Sequence, residues 1–458
     1  MQDTITAATE ALARAGLSPE EIEAWALAGG LREDSFPAAA AALRGYLGRG
    51  AALDRRLGDA DGSEARTTAR RALAGALNAA RDAFLERHAA SLYDALTGGC
   101  VKTIGVEQLV YDAAELIPGL VPSRSEMAAE RSLALADKRG VERAQGLLLG
   151  HVLGLERQGR HLVNAMLAPT PRALEAQAEF QSRGSLDLGS ARVTRRGRAG
   201  IVELCNPRHL NAEDGTTLEP TEAAVDLVLL DPQIEVGVIR GTVVEHPRYA
   251  GQRVFGSGIN LTHLYRGQID FLFYLIRDLG YVNKIYRGLN TGAGAVEKLW
   301  IAAVERYAIG GACQLLHVVD HVIAIRGSRL YLPARKEGII PGASNLRLPR
   351  SVGDRAARQA ILSGREWTAG QPDADLIVDE VIDAGAMDRA LEARIELLTS
   401  SGLINAAANR RALRVGQEPL DVFRQYMATY AREQADCHLS PALVANLEHH
   451  WDAARRTV

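Results

Sequence analysis

Two glycine-bearing segments carry the strongest chemical signal in this sequence. Residues 254–261, which include Gly258, predict a strand that ends in a loop opening toward a helix. Glycine lets a backbone N–H group approach a ligand closely, because it has no side chain and tolerates unusual dihedral angles. Residues 307–315 predict a second strand that runs into a helix, with Gly310 and Gly311 at the helix start.

The order and spacing of these segments predict one site rather than two turns. Each segment alone is also explained by a tight turn that only serves packing. The first turn of a helix, however, has free N–H groups and the positive end of the helix dipole. Two N–H groups that converge on one oxygen form an oxyanion hole, where each donor contributes ~2.7–4 kcal/mol to catalysis. The two segments lie about 50 residues apart, and the pair is more specific than either loop alone.

Helices are predicted before these loops. Residues 1 to about 180 are rich in Ala, Leu, Arg and Glu. Apolar residues recur at three- and four-residue spacing in residues 66–88 and 141–167. This spacing is typical of amphipathic helices. We therefore predict an all-helical N-terminal domain over residues 1–190, in which no motif carries chemistry.

The composition then changes to alternating strands and helices. This alternation is typical of an α/β unit, so we predict an α/β core over residues 191–385 and a C-terminal helical region over residues 386–458. Strands are predicted at 201–204, 234–239, 299–304, 321–325 and 329–332, and helices at 218–230, 311–319, 390–398 and 419–434.

The bulk composition excludes several classes of protein. The net charge is −3, which gives no electrostatic reason to expect nucleic acid or an anionic membrane as a partner. The sequence has no apolar run of 18 residues, so no membrane span is predicted, and its first residues lack the pattern of a signal peptide. Four scattered cysteines without a C-x-x-C pair favour neither a zinc site nor a disulfide framework. We expect a cytoplasmic protein without a metal.

Four short motifs support a comparison with known enzymes. They are Asn211-Ala212-Glu213, Phe255-Gly256-Ser257-Gly258-Ile259, Ala308-Ile309-Gly310-Gly311 and Gly338-Ile339-Ile340-Pro341-Gly342-Ala343. In this order they resemble the crotonase (enoyl-CoA hydratase/isomerase) superfamily, over roughly residues 195–400. The resemblance implies an α/β core of the ββα superhelix type, a CoA thioester substrate, and a homotrimer or a hexamer made of two trimers. It also implies that the N–H groups of Ile259 and Gly311 hold the thioester oxygen.

Two departures from the hydratase pattern narrow the expected chemistry. Hydratases of this superfamily carry catalytic glutamates where this chain has Gln314 and Ala334. Neither replacement supplies a carboxylate for general acid–base work. Hydration of an enoyl-CoA is therefore not expected, whereas stabilisation of an enolate is.

A further set of residues is similar to one branch of the superfamily. That branch oxidises 3,5-dihydroxyphenylacetyl-CoA with O2 to 3,5-dihydroxyphenylglyoxylate and free CoA, without a cofactor, in the dihydroxyphenylglycine biosynthesis that serves antibiotic production. The branch also has a long helical N-terminal region. The similar residues are 209–214, 244–249, 259–261, 277–281, 314–316, 336–342 and 419–434.

This resemblance implies roles for three polar side chains. Glu213 is expected to accept a hydrogen bond from a ring hydroxyl, and Arg277 to donate to ring hydroxyls or to order nearby groups. Gln314 is expected to orient the substrate or a peroxide. The alternatives are a helix-start carboxylate for Glu213 and a surface ion pair with Asp278 or another acid for Arg277. Either Glu213 or Glu337 is a candidate for the base that removes the α-proton.

Other residues are expected to bind the acyl group or CoA. Arg248 is a candidate partner of a CoA phosphate, since its planar guanidinium suits that geometry, and a solvated loop arginine is the alternative. The predicted substrate- and CoA-binding residues are His246, Pro247, Arg248, Tyr249, Ser257, Gly258, Asn260, Leu261, Ile340, Pro341, Gly342 and Gln434. His317 and His321 have the spacing of helical zinc ligands, but they lack the intervening glutamate, and a metal role is not expected.

Two other functions remain open at this stage. A thioesterase on the same fold would use the same oxyanion hole but would activate water. A non-catalytic acyl-CoA-binding protein is the second alternative, suggested by the absent family glutamates. The expected partners are an arylacetyl-CoA and O2.

Overall fold

The computed structural model describes residues 2–27, 33–58, 63–292, 294–400 and 402–456. Within these residues, twenty α-helices and twelve strands follow one another along the chain. The N-terminal helices are α1 (Gln2–Arg14), α2 (Pro19–Leu27), α3 (Phe36–Leu57), α4 (Glu64–Thr97), α5 (Val106–Leu116), α6 (Arg124–Arg131), α7 (Arg143–Gly154), α8 (Glu156–Ala165) and α9 (Pro171–Arg183).

The strands begin directly after these helices. They are β1 (Ser185–Asp187), β2 (Ala191–Arg196), β3 (Ala199–Leu204), β4 (Val236–Gly241), β5 (Leu289–Asn290), β6 (Ala295–Val296), β7 (Leu299–Val304), β8 (Tyr307–Ile309), β9 (His321–Ile325), β10 (Arg329–Tyr331), β11 (Glu366–Thr368) and β12 (Glu380–Ile382). The remaining helices are α10 (Leu218–Leu230), α11 (Leu261–Tyr265), α12 (Leu272–Leu279), α13 (Tyr281–Arg287), α14 (Gly311–Leu315), α15 (Ala334–Glu337), α16 (Ser344–Arg358), α17 (Met387–Thr399), α18 (Leu403–Gln417), α19 (Leu420–His438) and α20 (Pro441–Trp451).

The helical nature of the N-terminal region is confirmed for its described residues as far as α9, but the prediction that residues 1–190 are all helical is wrong at its end, because Ser185–Asp187 pair with β2 as strand β1. Its helix ends follow ordinary capping rules: the Ser63 side chain accepts from the Arg66 N–H at the start of α4, and Gly184 takes the left-handed conformation at the end of α9. One hydrophobic core joins α1 to α5, α7 and α8 with α12, α19 and α20. The division into domains at 190 and 385 stays a prediction.

A seven-stranded sheet forms the second core. Its order is β1-β2-β3-β4-β7-β9-β12, with the first three strands antiparallel and the strands from β3 to β12 parallel. Every residue of β4 and β7 is buried, as expected for central parallel strands covered on both faces. A second sheet of order β11-β10-β8 lies beside it, and β8 and β10 run parallel.

The C-terminal helices close the two cores from different sides. Helix α17 covers one sheet face through Met387 and Leu391. Helix α19 packs along α7, where Arg424 Nη1 donates to the Leu153 carbonyl at 2.6 Å. The buried carboxylate of Glu142 lies 3.4 Å from His438 of α19 and accepts from the Phe271 N–H at the start of α12. The N-terminal region, α12 and α19 are therefore tied together.

Most predicted elements of the α/β core are confirmed, and two predictions are wrong. Residues 254–261 form no strand, because this segment crosses the end of β4: a Cβ on Gly241 would overlap the Val254 carbonyl oxygen. That oxygen accepts from Asn211 Nδ2 at 2.8 Å instead of from a neighbouring strand. The helix that begins at Gly311 ends at Leu315 rather than at residue 319.

In the part of the chain that the structure describes, no helix has the length and apolar character needed to cross a membrane.

Candidate active site

The two glycine segments meet at one pocket, together with the loops that follow the parallel strands. The carboxyl ends of parallel strands share one edge of a sheet, and the loops after β3 and β4 of the seven-stranded sheet meet those after β8 and β10 of the second sheet. Helix α12 adds one wall, and α19 contributes Tyr430. The predicted residues that line this pocket are Glu213, Ile259, Arg277, Gly311, Gln314, Ile340, Pro341 and Gly342.

The loop of Ile259 and the turn of Gly311 are in direct contact. Gly258 has φ 85°, and a Cβ there would lie 2.9 Å from the Ile309 carbonyl oxygen and 3.3 Å from the Gly311 nitrogen. Gly310 has φ 52° and lies on the chain between these two groups. Both positions favour glycine, because a side chain would be strained and would push the two loops apart.

Main-chain hydrogen bonds fix the direction of the Ile259 amide. The Glu213 N–H donates to the Gly258 carbonyl and the Asn260 N–H donates to the Glu213 carbonyl, each at 2.7 Å. These two bonds form a parallel bridge between Glu213 and Ile259, in which the Ile259 N–H has no acceptor. Among the described residues, neither Ile259 N–H nor Gly311 N–H donates to a protein acceptor. Two unsatisfied donors at one pocket have the arrangement of an oxyanion hole.

A buried ion pair between Arg277 and Glu213 contacts the Gly311 turn. Arg277 Nε lies 3.0 Å from both carboxylate oxygens of Glu213. Arg277 Nη2 donates to the Gly311 carbonyl at 2.7 Å, and Nη1 donates to Gln314 Oε1 at 2.8 Å. Burial is the largest single influence and would lower the pKa of Arg277, but the neighbouring groups, first among them the Glu213 carboxylate, together outweigh it and raise that pKa. Arg277 therefore stays charged and holds three parts of the pocket in place.

The alternative interpretations of Glu213 and Arg277 do not fit this arrangement. Arg277 is 4% exposed, so it makes no surface ion pair, and its distance to Asp278 is 3.5 Å. Glu213 is 8% exposed and precedes the start of α10 at Leu218. Both side chains belong to the wall of the pocket.

Tyr281 is a further member of this group that the sequence reasoning did not single out. Its hydroxyl donates to Glu213 Oε1. Burial raises the pKa of Tyr281 well above its ordinary value, so the hydroxyl keeps its proton and remains a donor. Arg277 lies in the last turn of α12 and Tyr281 begins α13, with the non-helical Gly280 between them, so their spacing along the sequence gave no helical-face signal.

Two glycines let the polar groups approach the main chain. A Cβ on Gly311 would overlap Glu213 Oε2, and one on Gly342 would overlap Gln314 Oε1. Because Gln314 Oε1 already accepts from Arg277, its amide NH2 is the group left to face a ligand. Cys313 is fully buried beside this turn, and burial raises the pKa of its thiol to about 12, which favours a packing role.

Several predicted binding residues lie near the pocket but do not line it. The Asn260 side chain accepts from the His263 N–H and donates to Asp214, so it caps α11. The Ser257 hydroxyl donates to the His209 carbonyl. Gln434 Oε1 accepts from the Ile340 N–H at 2.9 Å and so supports the wall rather than forming its surface. Leu261 begins α11 and packs against the N-terminal core.

The predicted CoA-binding loop is adjacent to the strand that leads into the Gly311 turn. The hydroxyls of Tyr249 and Tyr307 lie 3.1 Å apart, and Tyr307 begins β8. Arg248 and Pro247 are exposed, and the His246 ring centroid lies 5.5 Å from that of Tyr249. The loop is open to solvent beside the pocket, and its role in CoA binding stays a prediction.

The structure also locates the two histidines that were considered as metal ligands. His317 follows α14, whereas His321 begins β9, so the pair does not share a helix. Over the described ranges, no group of three or more His, Cys, Asp or Glu side chains is arranged to hold a metal ion.

The cavity itself is small. Its volume is about 30 Å³, room for about one water molecule, whereas pockets for organic ligands usually measure ~300–1,000 Å³. An aryl ring therefore requires movement of the lining side chains, among which Phe273, Tyr430 and Ile340 are the bulky apolar ones.

Comparisons with known proteins agree with this geometry. The family model described as enoyl-CoA hydratase/isomerase matches residues 196–428. The (3,5-dihydroxyphenyl)acetyl-CoA 1,2-dioxygenase of Amycolatopsis orientalis is 46% identical over 380 residues, which are 81% of this chain and 87% of that protein. A probable enoyl-CoA hydratase of Rhizobium meliloti (strain 1021) is 30% identical over 44% of this chain and 70% of that protein.

Solved structures give a weaker comparison. The carnitinyl-CoA hydratase from Mycobacterium avium is 24% identical, with a TM-score of 0.48, over 59% of this chain and 97% of that chain. The family model spans the chain from β3, before Glu213, into the first half of α19, and so includes every residue that lines the pocket except Tyr430. The chain therefore belongs to the enoyl-CoA hydratase/isomerase family, the crotonase superfamily.

Proposed function

We propose that this protein is a dioxygenase that converts 3,5-dihydroxyphenylacetyl-CoA and O2 into 3,5-dihydroxyphenylglyoxylate and free CoA, with no metal or organic cofactor. The observation that carries the proposal is 46% identity, over 81% of the chain, to a protein named for this substrate and this class of reaction. The free amides of Ile259 and Gly311 support it, because they suit the thioester oxygen of an acyl-CoA.

The proposed reaction begins with an enolate. Removal of one α-proton leaves an electron pair shared by the α-carbon, the ring and the thioester oxygen, and the two amides stabilise that oxygen. The α-carbon then forms a bond to O2. The resulting peroxide attacks the thioester carbonyl and expels the CoA thiolate. Cleavage of the O–O bond with loss of the second α-proton gives the keto acid, so that both atoms of O2 end in the product.

The polar wall suits a dihydroxyphenyl ring. Glu213 offers carboxylate lone pairs, Gln314 offers its amide NH2, and Arg277 fixes both. We propose that these groups hold the ring hydroxyls. Gln314 also provides no carboxylate for activating water, which favours oxygenation over hydrolysis.

Turnover of 3,5-dihydroxyphenylacetyl-CoA with and without O2 tests the proposal. We expect one O2 consumed for each CoA released, and no CoA release under strict anaerobiosis, in protein whose metal content is measured to be below stoichiometric. Equal CoA release without O2 would instead identify a thioesterase. Binding of the thioester without any turnover would identify an acyl-CoA-binding protein.

CoA recognition and assembly complete the proposal. We propose that the exposed Arg248 pairs with a CoA phosphate, while the loop 246–249 holds the adjoining part of CoA. We also propose a cytoplasmic homotrimer or dimer of trimers. Large apolar side chains on the C-terminal helices support assembly, since Ile404 is 88% exposed and Val415 is 75% exposed. Light scattering coupled to size-exclusion chromatography distinguishes these states from a monomer.

A further inference from the structure

Glu337 differs from the other two carboxylates of the pocket. Glu213 accepts from Arg277 and Tyr281, and Asp278 lies 3.5 Å from the Arg277 guanidinium. Glu337 also lines the pocket and is 8% exposed. In the described part of the chain, burial is the only influence that shifts the pKa of this carboxylate, and no cation or side-chain donor pairs with it. Its lone pairs are therefore available to a ligand.

The local chain turns this carboxylate inward and holds it there. Glu337 ends the short helix α15, in which the neighbours Arg335 and Lys336 are exposed. The Glu337 N–H donates to the Pro333 carbonyl at 2.9 Å. Gly338 follows with φ 81°, and a Cβ there would lie 2.9 Å from Asn446 Nδ2 of α20. The backbone on both sides of Glu337 is thus fixed by packing.

The surroundings of Glu337 suit a proton acceptor near neutral pH. Burial raises the pKa of Glu337 from its ordinary value of 4.5 to about 7, and a general base works best with a pKa near the working pH. Its pocket neighbours Ala334, Ile339 and Ile340 are apolar. The titratable or charged groups on the pocket and on the elements packed around it are Glu213, Tyr274, Arg277, Asp278, Tyr331, Arg335, Lys336, Tyr430, Glu448, His449 and His450.

We propose that Glu337 is the base that removes the α-proton of the bound arylacetyl thioester. The α C–H bond breaks, an O–H bond forms on the Glu337 carboxylate, and the electron pair of the C–H bond enters the enolate. Negative charge moves from a carboxylate without a cationic partner to an oxygen held by the Ile259 and Gly311 amides, so the total charge of the pocket is unchanged. Glu213 is less suited as the base, because its negative charge is already paired with the Arg277 guanidinium. This assignment rests on the proposed function for the identity of the substrate.

Exchange of the α-protons with D2O tests Glu337 separately from oxygenation. Under argon, 3,5-dihydroxyphenylacetyl-CoA incubated with the wild-type protein should take up deuterium, detected by mass spectrometry of the recovered thioester. Glu337→Gln should slow this exchange by ~10²–10⁴-fold, the usual contribution of a general base. Glu433→Gln changes an exposed glutamate on α19 and should leave the exchange rate unchanged.

The pH profile gives a second readout that a merely structural role would not move. Because the ionised carboxylate is the active form, wild-type exchange should rise with pH and level off above about 7. Glu337→Asp keeps a carboxylate and should restore part of the rate, while Glu337→Gln should lose the inflection. Each variant is first shown to bind the non-reactive thioether analogue of the substrate.

The outcomes separate the two proposals. If Glu337→Gln binds the analogue and exchanges α-protons as fast as the wild type, the assignment of the base is wrong, whatever the oxygen consumption. If exchange depends on Glu337 but no O2 is consumed in air, the base is confirmed and the proposed dioxygenase activity is wrong.

Discussion

Replacing Glu337 by glutamine should make the protein more stable above neutral pH. A buried carboxylate without a cationic partner opposes folding when it is ionised, because burial removes its hydration. Burial raises the pKa of Glu337 from 4.5 to about 7 in the folded chain. Each pKa unit corresponds to ~1.36 kcal/mol at 25 °C, so the difference of about 2.5 is worth about 3 kcal/mol.

The pH dependence gives this prediction its sign. Below pH 4.5 the residue is protonated in both the folded and the unfolded chain, and its ionisation has no effect. Between pH 4.5 and about 7 the folded chain holds the proton while the unfolded chain loses it, so the free energy of unfolding falls as pH rises. Above about pH 7 the residue is ionised in both states, and its contribution to the free energy of unfolding falls no further. Glutamine cannot ionise, and the variant avoids this loss.

Urea unfolding of the wild type and of Glu337→Gln at pH 4.5, 6 and 8.5 measures the effect. The free energy of unfolding of the variant, relative to that of the wild type, should rise by about 3 kcal/mol from the lowest to the highest pH. Glu213→Gln is the control for a paired carboxylate and should show no such gain, because it breaks the contact with Arg277. A difference between Glu337→Gln and wild type that is the same at all three pH values would refute the reasoning.

Three further substitutions test the wall behind the oxyanion hole. Gly311→Ala places a Cβ against Glu213 Oε2 and 3.2 Å from Arg277 Nη2, so we expect kcat to fall by ~10²–10³-fold, as when an oxyanion donor is lost. The control Gly75→Ala changes a helical position with open space around it and should leave kcat unchanged. An equal fall of kcat in both variants would contradict this prediction. Arg277→Met leaves the buried Glu213 without its cation and should lower the free energy of unfolding in urea by ~3–5 kcal/mol. The double variant Arg277→Met/Glu213→Gln should recover part of this loss. Strictly additive effects of the two changes would refute the coupling between these residues. Gln314→Glu puts a second carboxylate 2.8 Å from Arg277 Nη1. This carboxylate should compete with Glu213 for Arg277 and lower the O2 consumption rate at least tenfold. Oxygen uptake at the wild-type rate would show that the neutral amide of Gln314 is not needed.

The sequence by itself determined the elements that rest on local rules. The helical N-terminal region, the helix Leu218–Leu230 and the strand Leu299–Val304 follow from apolar spacing. Gly258 and Gly311 marked the two loops of the candidate oxyanion hole, because the positive φ at 258 and the close approach of Glu213 at 311 favour glycine. These features depend on residue type and on near neighbours, and the sequence contains both.

Only the tertiary structure decided how the charges of the site are shared. Glu213, Arg277 and Tyr281 come from different elements, and their contacts depend on where those elements pack. The strand predicted at 254–261 failed for the same reason, since among the described residues this segment pairs only through isolated bridges, from Gly256 to Ala308 and from Ile259 to Glu213. Glu337 was one of two equal candidates for the base in the sequence. Tertiary packing places Arg277 beside Glu213 and leaves Glu337 without a cation. The two carboxylates differ for this reason, because the free energy of a buried charge depends on its partner.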